Sequence, residues 1–78
     1  MNDYLVKKVG EEGSEVAQAA FKVLLHHDKE AMSNLVNEMA DAQAMIDLAY
    51  NRLSKKLREQ FAVTYQARVD KERAKGKA

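Results

Sequence analysis

Glu12 and Glu15 stand three residues apart, as do Glu38 and Asp41. In a helix that spacing puts two carboxylates on one face, about one turn apart. Oxygen donors grouped in this way suit a hard divalent cation. Magnesium favours octahedral oxygen ligation at about 2.1 Å, keeps several waters and shares the phosphates of a substrate. The chemistry such a set supports is metal-assisted attack of water on phosphorus: the cation neutralises phosphate oxygens, lowers the pKa of a water and fixes its line of attack.

The helices that carry these acids are legible from periodicity. At about 100° per residue, with Glu12 at the origin, Leu5, Val9, Val16, Ala19 and Val23 fall within about 60° of it. Glu12 is thus centred in an apolar stripe. The same construction around Glu38 gathers Ala31, Leu35, Ala42, Met45, Ala49 and Leu53, with Asp41 about 60° to one side. Both helices aim acid into their own apolar seam. Ionised carboxylates crowded into a poorly solvated seam repel one another and lose hydration, so they must protonate or recruit a cation.

The 78 residues make one small domain, near the size at which a single core adds little net stability, so association with a second copy is a natural supplement. With no proline, three glycines and apolar residues at helical spacing almost throughout, the chain is predicted to be all-α: a three-helix protomer. The expected helices run over about 3–25, 29–53 and 55–73, followed by a charged tail at 74–78; the second helix ends at about Tyr50 or Leu53, and Asn51 to Ser54 mark a break or kink. His26, His27 and Asp28 mark the first turn, with Asp28 or Ser33 as cap of the second helix. Gly10 and Gly13 inside the first helix imply a close helix approach or a later first turn, since each costs about 1 kcal/mol against alanine. In the third helix, Leu57, Phe61, Tyr65 and Val69 recur at steps of four and form a narrow apolar ridge.

Charge and composition exclude several functions. Thirteen basic against twelve acidic residues give a net charge of +1, which counts against nucleic acid or an anionic membrane as partner. Cysteine is absent, so there is no disulfide framework and no thiolate zinc site. No apolar run approaches the 18 or so residues of a membrane span, and the opening Met-Asn-Asp-Tyr-Leu-Val-Lys-Lys lacks the apolar segment of a signal peptide. The expected location is cytoplasmic.

Glu11-Glu12-Gly13-Ser14-Glu15, followed after 22 residues by Glu38-Met39-Ala40-Asp41, has the pattern E-E-x-x-E, spacer, E-x-x-D. Between about Lys8 and Leu53 the chain resembles the MazG-like all-α nucleoside triphosphate pyrophosphohydrolases, a group related to the phosphoribosyl-ATP pyrophosphatases and the dimeric dUTPases. The resemblance implies helical protomers assembled as a homodimer or homotetramer, in an oligomeric bundle of the all-α NTP pyrophosphatase type. It also implies magnesium at the acidic helices, with manganese able to substitute, and hydrolysis of a nucleotide substrate between the α and β phosphates to a nucleoside monophosphate and pyrophosphate. Glu12, Glu15, Glu38 and Asp41 match the family's metal ligands. Glu11 matches the first acid of the motif and takes a supporting catalytic role, orienting a ligand or accepting a proton from water. Only a few residues precede Lys8, fewer than in many relatives, so the base pocket is expected to take walls from another subunit.

Triphosphate chains need cationic clamps beyond the metal. Arg68 and Lys71 are candidates on the basic third helix, and Lys8 is another. Asn51 and Tyr50 could meet sugar or base, or simply cap the second helix. Each feature has a plainer alternative. Glu11 and Glu15 can form a solvated face paired with Lys8 or Lys22, His26 and His27 can sit at the negative end of a helix dipole, and Met32, Met39 and Met45 can be flexible core filling or a subunit contact. Two functional alternatives follow: a phosphoribosyl-ATP pyrophosphatase, suggested by Lys8-Val9-Gly10-Glu11-Glu12, or a non-catalytic helical module that binds a nucleotide or a partner.

Overall fold

A computed structural model describes residues 1–76 and contains three helices, α1 (Asp3–His26), α2 (Lys29–Tyr50) and α3 (Lys55–Ala74), with no strand among the described residues. The end of the expected charged tail, residues 77 and 78, lies outside the described residues. Each helix begins at a polar cap. Asn2 Oδ1 accepts from the Leu5 N–H at 2.9 Å, Asp28 Oδ1 from the Ala31 N–H at 2.7 Å, and Ser54 Oγ from the Leu57 N–H at 3.3 Å. Asp28, not Ser33, caps α2. His27 ends α1 in the left-handed region (φ 51°, ψ 35°), and its N–H donates to the Val23 carbonyl at 2.8 Å. The chain reverses there, and α1 and α2 pack together as a hairpin.

The second helix ends at the earlier of its two expected positions, and the break expected over Asn51 to Ser54 is present. It stops at Tyr50, and Arg52 and Leu53 donate their N–H groups to Ala49 and Tyr50 in a tight turn that leads into the extended Ser54 cap. Asn51 stands at the C-terminal boundary of α2, donating its own N–H to the Asp47 carbonyl at 3.2 Å.

The α1–α2 seam follows the two stripes. Leu5, Ala19, Ala42 and Ala49 are buried, and Val9, Val16, Val23, Ala31, Leu35, Met45 and Leu53 are half-buried. The stripes mirror each other about His27, so that residues at equal distance from the turn correspond: Leu5 with Ala49, Val9 with Met45, Glu12 with Ala42, Val16 with Glu38, Ala19 with Leu35. Three of the four buried residues are alanines, which fixes a tight helix pair around very little apolar volume.

Two expectations need correction. Gly10 and Gly13 reflect neither a close helix approach nor a late helix start: α1 is helical from Asp3, and a Cβ at either position would meet nothing within 4 Å. Met32 and Met39 are about half-exposed (48% and 54%) and fill no core within the chain; Met45 alone of the three enters the seam.

The third helix does not pack along the hairpin. Its link to the hairpin is aromatic: the Phe61 ring meets Tyr50 edge-on at 5.1 Å and stacks on Tyr65 at 6.1 Å. The molecule is accordingly flat, 42 × 34 × 13 Å. Its radius of gyration is 14.7 Å, against roughly 11.5 Å for a rounded domain of this length.

Because the two α1 glycines touch nothing, Gly10→Ala and Gly13→Ala should each stabilise the protein by about 0.5–1 kcal/mol, a rise of several degrees in melting temperature by circular dichroism. A fall in melting temperature for both would mean that this face is covered.

Candidate functional site

Position along the seam brings acids from both helices together. One carboxylate oxygen each from Glu12, Glu15 and Glu38 lie within 4.8 Å of one another. Glu12 and Glu38 are half-buried, and Glu15 is exposed at the edge. One oxygen of each seam acid, Glu12 Oε2 and Glu38 Oε2, is out of contact with solvent and has no hydrogen-bond partner among the described residues. A buried carboxylate oxygen without a donor loses its hydration with nothing in return.

The remaining site candidates fall at different distances from this centre. Asp41 is exposed on α2, and its charge acts on both Glu12 and Glu38. Glu11 lies on the outer flank of α1, where Lys7 Nζ and Lys8 Nζ approach it at 3.7 and 3.4 Å. For Glu11, then, the solvated, lysine-paired alternative describes the geometry. Lys8 also sits 5.9 Å above the Tyr4 ring, a contact the sequence reading did not single out although its i, i+4 spacing is visible there. Arg68 pairs with Glu72 at 3.1 Å, and Lys71 is exposed; both lie on the second half of α3, away from any packing on the hairpin. Asn51 and Tyr50 stand at the far end of α2, where Asn51 bounds the helix and Tyr50 packs on Phe61. The acids thus converge, whereas the proposed cationic clamps on α3 do not join them.

Electrostatics mark the same two residues as strained. The Glu38 carboxyl is held above the ordinary carboxylate range, first by hydrogen bonding with Glu15, then by lost hydration, then by the charges of Glu15, Asp41 and Glu12. Glu12 is raised mainly by lost hydration and then by Glu15 and Asp41; Lys8 pulls weakly the other way. Lys8 itself is raised, chiefly by its hydrogen bond and charge interaction with Glu11. Each causal group belongs to the cluster or borders it.

A cation is one way to relieve this strain. All the donors are hard carboxylate oxygens, as magnesium requires. At a metal–oxygen distance of about 2.1 Å, octahedral ligands stand about 3.0 Å apart along an edge and about 4.2 Å across. The three oxygens, within 4.8 Å of one another, are spaced close to that range.

No protein-family model matches the chain, and no curated protein or solved structure matches it. No helix among the described residues is long and apolar enough to cross a membrane.

The raised carboxyls fix the sign of a pH effect. The folded chain holds these protons more tightly than the unfolded chain, so stability is greatest on the acid side and falls as pH rises from the ordinary carboxylate range through the raised values. In EDTA, the melting temperature should therefore fall as pH rises above the ordinary carboxylate range. Glu38→Gln should flatten the drop and raise the melting temperature at pH 7. A variant that melts lower than the parent at pH 7 would show that the Glu38 charge stabilises the fold.

Proposed function

We propose that the chain hydrolyses a nucleoside triphosphate, or a related nucleotide, between its α and β phosphates, releasing a nucleoside monophosphate and pyrophosphate. It does so as a cytoplasmic homodimer or homotetramer of MazG-like type. Glu12, Glu15 and Glu38 hold magnesium, or manganese in its place, with Asp41 beside them. The observation that carries this reading is that Glu12 and Glu38, each with one unpartnered, solvent-excluded oxygen, also bring a carboxylate oxygen within 4.8 Å of one another and of Glu15. A cluster that only stabilised the fold would be expected to supply donors to those atoms.

Bound magnesium supplies charge neutralisation on phosphate oxygens and acidifies a water. The chain's residues divide the remaining work by position. Glu12 and Glu38, fixed by the seam, grip from opposite helices. Glu15 completes the set of ligands from the exposed edge, and Asp41, also exposed, adds its negative charge beside them. Lys8, held by Glu11 on the flank of α1, is the cation placed to meet a phosphate oxygen beside Glu12.

A second reading is favoured by one feature. With Arg68 engaged by Glu72 and α3 standing off the hairpin, Lys8 is the cation that borders the acids. That sparse complement also suits a non-catalytic helical module that binds a nucleotide or a partner.

Incubation with each common nucleoside triphosphate and with phosphoribosyl-ATP, with and without magnesium, followed by pyrophosphate assay, separates these readings. Magnesium-dependent pyrophosphate release is expected, and Glu38→Gln should lower it at least about 100-fold, the scale seen when one group acting in the transition state is removed, with helicity unchanged. Magnesium should also raise the melting temperature, by about 2.7 kcal/mol of added stability at 100 times its dissociation constant. Absence of pyrophosphate from every substrate, with a melting temperature indifferent to magnesium, refutes the hydrolase.

A further inference from the structure

The exposed surface is too large for a chain that works alone. Accessible area is 6374 Å² for a mass of 8.8 kDa, whereas a folded monomer of that mass is expected to expose roughly 4,800 Å². The excess, about 1,600 Å² per chain, would make an interface of about 3,200 Å² between two copies, within the range of obligate homodimers. Fourteen large apolar side chains are exposed. On α3 three of them form one line, Leu57 (47% exposed), Phe61 (39%) and Tyr65 (60%), continued by half-buried Leu53 and Val69 along an open groove, while Val63 stands on the opposite face.

We propose that this α3 ridge is the surface on which a second copy of the chain docks, the two α3 helices lying antiparallel about a two-fold axis near residue 63. Two observations select a second copy as the occupant. The surface excess matches what an obligate dimer buries, and the net charge of +1 opposes self-association only weakly. The ridge is also symmetric in sequence about position 63: Leu57 corresponds to Val69 and Phe61 to Tyr65, so an antiparallel pair sets aliphatic against aliphatic and ring against ring. Arg68, at the groove's edge, already has its charge paired with Glu72. Most helical stability in proteins comes from packing of an apolar face, and α3 gains its cover from its counterpart. The inference deepens the oligomer named in the proposed function and rests on that part of it alone, so a protein without turnover would leave it intact.

The test uses the full chain. Sedimentation velocity between 5 and 200 µM should give twice the chain mass, and the melting temperature should rise with concentration. Phe61→Glu should weaken association at least about 30-fold, the scale of an interface hot spot, whereas Val63→Glu, on the opposite face of α3, should leave it within about threefold of the parent. Since the chain has no cysteine, Thr64→Cys beside the proposed axis should form an interchain disulfide on mild oxidation, and Val63→Cys should not. A wild-type monomer at 200 µM with a concentration-independent melting temperature overturns the proposal and assigns the ridge to a different partner. A dimer unaffected by Phe61→Glu, or one that Thr64→Cys fails to cross-link, overturns the ridge-on-ridge arrangement. If Phe61→Glu does not fold, the wild-type concentration series and the Thr64→Cys cross-link decide between these outcomes.

Discussion

Packing of α1 on α2 through alanine is the constraint from which the rest of the molecule follows. Ala19, Ala42 and Ala49 contribute almost no side-chain volume, so the helices pack tightly over a seam in which little else is fully buried. In that narrow seam the two charged positions stand at small or slender counterparts, Glu12 at the level of Ala42 and Glu38 at the level of Val16. A bulky apolar residue at those levels would push the acids apart, since an overfilled interface relaxes by moving backbone. The seam thus stabilises the hairpin weakly and places its carboxylates closely.

That combination resolves a conflict between stability and chemistry in one direction. Replacing Glu12 and Glu38 by aliphatic residues of similar volume would give a continuous apolar seam, and buried ionic groups commonly lose to such replacements in stability. The chain instead keeps two raised carboxyls and two orphaned oxygens at the centre of its best-packed interface. Strain of this kind concentrates where charge is used, because a ligand that neutralises it recovers the lost hydration as binding energy. The exposed acids, Glu15 and Asp41, share the cluster's field while remaining in water.

Much of this was legible in the order of residues, and the failures have physical causes. Every member of the two stripes drawn around Glu12 and Glu38 is buried or half-buried, because periodicity reports the face a helix must cover, and a two-residue turn leaves the adjacent helix as the cover. Glu11, expected in a supporting catalytic role, has its side chain paired with Lys7 and Lys8, the plainer of the two readings its sequence position allowed. The position of α3 was not legible. Leu57, Phe61, Tyr65 and Val69 show that one face needs covering, yet spacing along a helix carries no information about which surface does so. Arg68 and Lys71 suffered from the same gap, since being basic on a neighbouring helix does not bring a side chain to the acids. The break over Asn51 to Ser54 was legible, and the end of α2 was narrowed to Tyr50 or Leu53, since residues 51–53 continue in tight i, i+3 turns whose local pattern differs little from α-helix.

A hairpin with a strained acidic seam and a helix with an uncovered ridge are complementary deficits. Among the described residues the seam contributes four buried ones, Leu5, Ala19, Ala42 and Ala49, too little apolar burial to offset the conformational entropy of ordering a chain of this length. Association through the ridge would supply that stability from a surface lying apart from the carboxylates, and so without asking the seam to become more apolar. Small catalytic domains face this division generally: residues kept polar for chemistry cannot also build a core, so burial has to come from elsewhere. Here the two tasks fall on different helices. The acids occupy α1 and α2, and the continuous apolar line occupies α3, whose own charged residues are partly neutralised along the helix by Glu72 with Arg68 and Lys75. A substitution that strengthens the ridge should therefore stabilise the fold without relieving the raised carboxyls, and one that relieves the carboxyls should stabilise the hairpin while leaving the ridge uncovered.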